Sequence, residues 1–308
     1  MVGKVTSKAL HERGVTTTGL VRSPGTAAGV DQEWVVGTND FASVAEHWPQ
    51  ALRCDIVVHL AARVHVLNDP AIDPLAAYRA ANVAGALRVA RAACDAGARR
   101  FVFVSSVKAV GESSHGRPLG EADVPVPLDP YGVSKLEAEQ ALQEFGRTSG
   151  LEIVIVRPPL VYGPGVRANF LQLMRAVARG IPLPLAAVEA KRSLVFVENL
   201  ADALVHCALD PRAAGQIFHV TDGCDLSVAE LIRALARSLH APERLFPVPT
   251  SWIRFAGRLT GRTAQVERLI GELRVDSRRI HEVLGWTPPY AIEEGLQRTA
   301  DWYRDSLH

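Results

Sequence analysis

Three near-continuous apolar runs constrain this chain most: Asp55-Ile56-Val57-Val58-His59-Leu60, Phe101-Val102-Phe103-Val104 and Leu151-Glu152-Ile153-Val154-Ile155-Val156. They are rich in β-branched and aromatic residues and lack a polar alternation, the pattern of a strand covered on both faces. Helical stretches separate them, an Ala-rich one over Tyr78–Ala96 and another over Tyr131–Gly146. Strands alternating with helices predict a parallel α/β sheet with helices on both sides. Upstream, Val5–Arg13 reads as a helix stopped by Gly14, Val15–Val21 as a strand ending at Arg22, and Phe41–Leu52 as a helix. After Arg157 the texture changes. Pro158, Pro159, Pro164, Pro182 and Pro184 punctuate a mixed stretch, followed by strands at Val195–Val197 and Ile217–Val220 around a helix at Leu200–Leu209. Residues 227–308 read as mainly helical.

Composition removes several functions. The 308 residues carry 34 Lys+Arg against 33 Asp+Glu, a net charge of +1. Nucleic-acid binding by broad phosphate neutralisation needs a basic excess, so no nucleic-acid partner is expected. No apolar run approaches the ~18 residues of a membrane span. Met1–Ser7 carries no secretory leader pattern. Cys54, Cys94, Cys207 and Cys224 are scattered without a CxxC pair. They read as inert thiols of a cytoplasmic protein, with no metal site.

In a doubly wound sheet, ligands bind beyond the carboxyl ends of the strands. Val21, Leu60, Val104 and Val156 mark those ends. Ser105-Ser106 follows Val104, and Tyr131-Gly132-Val133-Ser134-Lys135 opens a later helix after a Pro-rich loop. Tyr131 and Lys135, four apart, share one helix face. A phenol ionises near ~10 and is a poor base at neutral pH. A neighbouring ammonium is expected to favour its phenolate and can also donate to ribose hydroxyls. A serine hydroxyl can hold a substrate oxygen against the phenol. The YxxxK spacing alone is common by chance; its position in the strand–helix order gives it weight.

The chain resembles the extended short-chain dehydrogenase/reductases, in particular the NAD-dependent epimerase/dehydratase branch that acts on nucleotide sugars. The resemblance rests on Asp55–Ala62, Asn82-Val83-Ala84-Gly85, Phe103-Val104-Ser105-Ser106, Tyr131–Lys135 and Arg157-Pro158-Pro159-Leu160-Val161-Tyr162-Gly163-Pro164-Gly165, in the family's order and spacing. It implies a Rossmann-like doubly wound parallel sheet with a smaller, mainly helical substrate-binding C-terminal domain. Residues 1–157 would form the dinucleotide domain, with 192–220 returning to it; 158–191 and 221–308 would bind substrate. It also implies NAD or NADP as cofactor, a UDP-sugar substrate and a homodimer paired through the helices at Tyr78–Ala96 and Tyr131–Gly146. Tyr131 would be the general acid/base, Lys135 its activator and ribose anchor, and Ser106 the hydroxyl at the sugar C4 oxygen. Gly3, Arg22, Asp40, Phe41, Leu60, Ala61, Ala62, Asn82, Ser105 and Pro158 would lie along the cofactor. Asn169 and Arg192 would meet the substrate, Arg192 as a guanidinium fork on the diphosphate. For His59 the expectation is a satisfied core histidine, and Tyr162 reads equally as packing or as a ligand contact.

Four departures from the family pattern sharpen the expectation. The family opens with an apolar strand and a TGxxGxxG turn; here only Val2-Gly3 corresponds, to its final x-G. The expectation is a translation start placed downstream of the true one, by about 10–20 residues for a strand and turn. A chain beginning at Met1 would then bind cofactor poorly and be weakly stable. Second, Val107-Lys108 stands where the 4,6-dehydratases of the family carry Asp-Glu, which argues against dehydration. Third, Leu160 stands where the epimerases often carry Asn near the phosphates. Fourth, Arg22 ends the second family strand, where an acidic residue selects NAD and an arginine suits the 2′-phosphate of NADP. What remains is 4-epimerisation or, alternatively, NADPH-dependent 4-keto reduction, within O-antigen or other surface-polysaccharide precursor synthesis. A hydroxysteroid-type dehydrogenase, with Trp252–Leu259 lining an apolar pocket, and a non-catalytic dinucleotide sensor are the remaining alternatives. Such sensors typically lose the Tyr or Lys, and both are present here.

Overall fold

The computed structural model describes residues 1–37, 40–44, 48, 52–64, 73–261 and 263–307. Helix α1 (Val2–His11) leads to two parallel strands, β1 (Thr18–Val21) and β2 (Gln32–Val35), which form a sheet of their own. Strand β3 (Ile56–His59) follows, then α2 (Pro74–Tyr78), a π-helical turn (Arg79–Ala84), α3 (Gly85–Asp95), β4 (Arg100–Val104), α4 (Pro130–Ser149) and β5 (Glu152–Arg157). After β6 (Leu160–Tyr162), α5 (Ala168–Ala178), β7 (Lys191–Phe196) and α6 (Val197–Leu209), strand β8 (Ile217–His219) returns to the main sheet. Its order is β3-β4-β5-β8, all parallel. Strand β9 (Asp225–Ser227) pairs antiparallel with β7, which also pairs with β6. The C-terminal helices are α7 (Val228–Ser238), α8 (Thr250–Leu259), α9 (Thr263–Ile270), α10 (Arg278–Leu284) and α11 (Ile292–Asp305).

Alternate residues of the main strands feed two cores. Phe101, Phe103, Ile153 and Ile155 pack with Ala86, Val89, Ala138 and Leu142 of α3 and α4. Val102, Val154 and Val156 pack with Leu200 and Leu204 of α6 and with Ile280 and Trp286. A third core beneath α5, α7 and α11 gathers Tyr162, Phe170, Met174, Leu235 and Leu296. Sequence chemistry marks the element ends. Asp129 caps α4 by accepting from the Gly132 amide at 2.7 Å, Pro130 occupies the first turn, and Gly150 closes the helix at φ 80°. Ser227 and Glu230 form a reciprocal capping box on α7.

Three expectations are corrected or fall outside. The Ile56–His59 strand packs on both faces, Val57 against the α3 and α4 core and Ile56 and Val58 against the α6 core, but it is less buried than expected: these three are half-buried, because among the described residues β3 bonds only to β4, at one edge of the sheet. The helix at Tyr78–Ala96 is interrupted by the π-helical turn. Within it Asn82 bonds two other segments, and the wider turn accommodates that side chain. The helix expected over Phe41–Leu52 falls largely outside the described residues. Among those that are described, no helix is long and apolar enough to cross a membrane, and no cluster of three His, Cys, Asp or Glu could hold a metal.

Candidate active site

The backbone delivers Ser106 and Tyr131 to the carboxyl end of β4 from two sides. Ser106 lies just past Val104 in extended conformation (φ −160°, ψ 151°) and caps the short 3-10 turn Val107–Ala109, its Oγ accepting from the Lys108 amide at 3.3 Å. Helix α4 starts against the same turn. A Cβ at Gly132 would sit 2.5 Å from the Lys108 carbonyl oxygen, so only glycine permits this approach. One residue earlier Tyr131 stands close enough to Ser106 for the serine hydroxyl to bear on the acidity of the phenol. Tyr78 supports the phenol ring edge-on at 6.1 Å.

Lys135, one turn along α4, is buried beneath them. Its Nζ donates to the Val104 carbonyl at 2.6 Å and lies 4.1 Å from the centre of the Phe103 ring. Burial lowers its pKa to about 7, against the opposing charge of Glu139. Burial also pushes Tyr131 up to about 12, with the neighbouring Ser106 hydroxyl opposing. The expectation that the ammonium would lower the phenol is corrected here. Lys135 turns to a carbonyl and an aromatic face, so desolvation governs both groups and Tyr131 holds its proton.

Around this trio the other residues of interest divide. Asn82 is buried; its amide nitrogen donates to the Arg63 carbonyl and the Ser134 hydroxyl at 3.1 and 2.9 Å, and its oxygen accepts from the Arg63 amide at 2.8 Å. It thereby ties the Leu60-Ala61-Ala62 strand end to α4. Gly3, in the first turn of α1, faces Leu60: a Cβ there would come to 3.5 Å of the leucine side chain. Asp40 accepts from Arg88 at 3.0 Å, and the Ala42 amide, then Arg88, holds its carboxyl below the usual range. Phe41 is buried at a positive φ of 55°, close against Gly85. Arg22 is exposed at the end of β1. Pro158 is buried, its carbonyl receiving the Val107 amide at 3.0 Å.

Ser105 points away from Ser106. Its hydroxyl donates to Glu139, which is clasped by Arg157 in a fully buried ion pair at 2.6 Å. His59 is sandwiched against Phe101 and Phe103, yet its buried Nε2 has no partner among the described residues, so it is not the fully satisfied histidine expected. Burial, reinforced by Lys135, drops its pKa to about 3. On the substrate side, Arg192 donates to the carbonyls of Arg268 and Gly271 at 2.5 and 2.8 Å, at the end of α9. Asn169 is exposed, next to Ala168 at a strained φ of 52°. Tyr162 belongs to packing: its hydroxyl donates to Asp222 at 2.8 Å inside the C-terminal core, and burial pushes its pKa far up.

Sequence reasoning missed three supports of the trio: the Asp129 cap, the buried Glu139–Arg157 pair and the acidic partners of Lys108. The Asp-Pro-Tyr-Gly run was a readable helix-start signal for the first. Glu139, one turn past Lys135, was a readable spacing for the second.

The family model for NAD dependent epimerase/dehydratases matches residues 1–221. The chain belongs to that family. It is 47% identical over 247 residues to a UDP-glucose 4-epimerase of Vibrio cholerae, covering 80% of this chain and 75% of the relative. Among solved structures, MoeE5 in complex with UDP-glucose and NAD matches with a TM-score of 0.76 at 26% identity, over 100% of this chain and 96% of that one. UDP-glucose 4-epimerase of Thermotoga maritima with UDP-glucose matches with a TM-score of 0.79 at 22% identity, over 100% and 97% of the two chains, a likeness of fold. The Rossmann-like architecture with a helical C-terminal region is therefore the family's own. In this family member the donor set suits the ribose end of a dinucleotide. Lys135 is a buried ammonium with three N–H bonds and one hydrogen-bond acceptor among the described residues, so it can serve a vicinal diol as well.

Proposed function

We propose that this chain is an NAD(P)-dependent UDP-hexose 4-epimerase serving surface-polysaccharide precursor synthesis. One observation carries the proposal: Ser106 and Tyr131 are neighbours at the end of β4, beside the buried side chain of Lys135, which is anchored to the Val104 carbonyl. Val107 and Lys108 follow the serine, which leaves no carboxyl group at the positions that serve water elimination. The similarity to the Vibrio cholerae enzyme supports the 4-epimerase reading.

In this reading Lys135 and the Leu60–Ala62 strand end hold the nicotinamide ribose, with Pro158 alongside. A nicotinamide dinucleotide bound there would supply a reversible hydride acceptor for the sugar C4. Tyr131 exchanges the proton of the sugar 4-hydroxyl, and Ser106 holds that oxygen in line with the phenol. Proton removal needs the phenolate, and the ammonium of Lys135 is the group able to lower its cost once it faces the ring. Ser105 supports this arrangement from below, through Glu139, instead of lying along the cofactor. Arg192, anchored by one nitrogen to the end of α9, presents the rest of its fork to the diphosphate. A homodimer paired through α3 and α4 completes the proposal, with molecular mass in solution as its measurement.

The exposed Arg22 at the end of β1 favours one second reading, NADPH-dependent reduction of a UDP-4-keto sugar. Stoichiometry separates the two. Interconversion of UDP-glucose and UDP-galactose without net change in reduced cofactor supports the epimerase. Net NADPH consumption with a 4-keto substrate supports the reductase.

A further inference from the structure

Lys108 is the residue of the strand-end turn that the proposed chemistry leaves unused. Its backbone and side chain both act on the site. The amide donates to Ser106 Oγ, and the carbonyl is the atom against which Gly132 packs without a Cβ. The ammonium is held by Asp129 and reaches Glu112 at 3.3 Å. Asp129 meanwhile uses its other oxygen to cap the Gly132 amide at 2.7 Å. Arg268 of α9 stands further out, 3.7 Å from Asp129 and 3.9 Å from Glu112. The Asp129 and Glu112 side chains are only 10% and 19% exposed, so this ion pair is not a solvated surface bridge.

We propose that Lys108 is a positioning residue: its ammonium, clamped between Asp129 and Glu112, locks the first turn of α4 to the Ser106 turn and so sets where the Tyr131 hydroxyl stands relative to that of Ser106. The two hydroxyls sit on different elements, separated along the chain by the whole Lys108–Asp129 loop. The clamp closes that loop at its two ends, two residues from each reacting hydroxyl. Without the ammonium, two carboxylates face each other at the cap, and their repulsion falls on the residue that orients Gly132 and Tyr131. The positive charge also fixes which way the turn runs, because an acid at 108 would join two acids already there.

The inference rests on the proposed roles of Ser106 and Tyr131, and the experiment separates the two. The full chain is labelled with 13Cζ-tyrosine, and Tyr131→Phe identifies the Tyr131 signal among the five tyrosines. Lys108→Met, Lys108→Arg and Asp129→Ser, which keeps a cap but removes the carboxylate, are then compared with the parent. The proposal expects the Tyr131 resonance to move or broaden in Lys108→Met and Asp129→Ser, well below their melting temperatures, and to be restored in Lys108→Arg. In turnover of UDP-galactose, Lys108→Met should lower kcat by about 10- to 100-fold, the scale of a misplaced reacting group, with KM within about twofold. A Tyr131 signal that stays put in folded Lys108→Met or Asp129→Ser overturns the proposal, whatever happens to thermal stability. Should Lys108→Met fail to fold, Asp129→Ser and Lys108→Arg decide it by the same signal. A parent that turns over no UDP-hexose removes the epimerase reading, while the Tyr131 resonance still decides the role of Lys108.

Discussion

At the end of β4, two hydroxyls and an amine come from the strand end and from α4, the next long helix, and nearby backbone groups fix two of them: the Lys108 amide on Ser106, the Val104 carbonyl on Lys135. On the substrate side the counterpart residues are set by distant contacts. Arg192 holds carbonyls 76 and 79 residues away at the end of α9, Asn169 is exposed at the start of α5, and Leu160 is 48% exposed on β6. Arg192 there does what Arg100 does under the main sheet, where one guanidinium nitrogen serves the carbonyls of Cys207, Ala208 and Asp210 past α6. Both arginines close a helix C-terminus, a placement the helix dipole favours. In the proposed reading, the reacting groups are set by local contacts, whereas the residues assigned to the sugar nucleotide depend on how the C-terminal helices are seated.

Kinetics can break or sharpen that contrast. The largest effect belongs to Tyr131→Phe, which should cut kcat by about 100- to 10,000-fold, the usual worth of a positioned acid/base, with the fold intact by circular dichroism. Arg192→Met should act differently, raising KM for the UDP-sugar by about tenfold, one charge-assisted bond, and lowering the melting temperature as α9 loosens. A loss confined to kcat would place Arg192 with the reacting groups and erase the distinction. Gly132→Ala should cost about 1–3 kcal/mol by overpacking against the Lys108 carbonyl, read by denaturant unfolding, and should lower kcat as well. His59 gives a smaller, pH-dependent effect. Its folded pKa of about 3 lies below the ordinary 6.5, so the unfolded chain binds the proton first as pH falls. Stability from this ring is therefore full above about pH 6.5 and is lost as pH drops towards 3. In His59→Phe the melting temperature should fall less between pH 6.5 and 4 than in the parent. The smallest effect is expected at the exposed Arg147–Glu144 pair on the far end of α4. Arg147→Ala should leave kcat, KM and melting temperature unchanged.

Legibility in the sequence followed the same division. The apolar runs around Phe101–Val104 and Leu151–Val156 named the buried strands, and the four-residue spacing of Tyr131 and Lys135 placed both on one face of α4, because local periodicity encodes both. The edge position of β3 was not readable, since hydrogen-bond partners of a strand lie far away in sequence. Nor was the phenol's raised pKa: the spacing put an ammonium nearby, but its rotamer is decided by Val104 and Phe103. The direction of Ser105 escaped for a simpler reason. Successive residues at a strand end point to opposite sides, and only the buried Glu139–Arg157 pair reveals which serine faces the substrate.

The central claim is hydride transfer at C4 with Tyr131 moving the proton, and the fate of a C4 label tests it most directly. UDP-galactose carrying deuterium at C4 is incubated with the chain and NAD, and the UDP-glucose formed is analysed by mass spectrometry and NMR. The account predicts that the label stays at C4 with inverted configuration, that no reduced cofactor accumulates, and that Tyr131→Phe yields no labelled product. Loss of the label to solvent, or equal product from Tyr131→Phe, would contradict it.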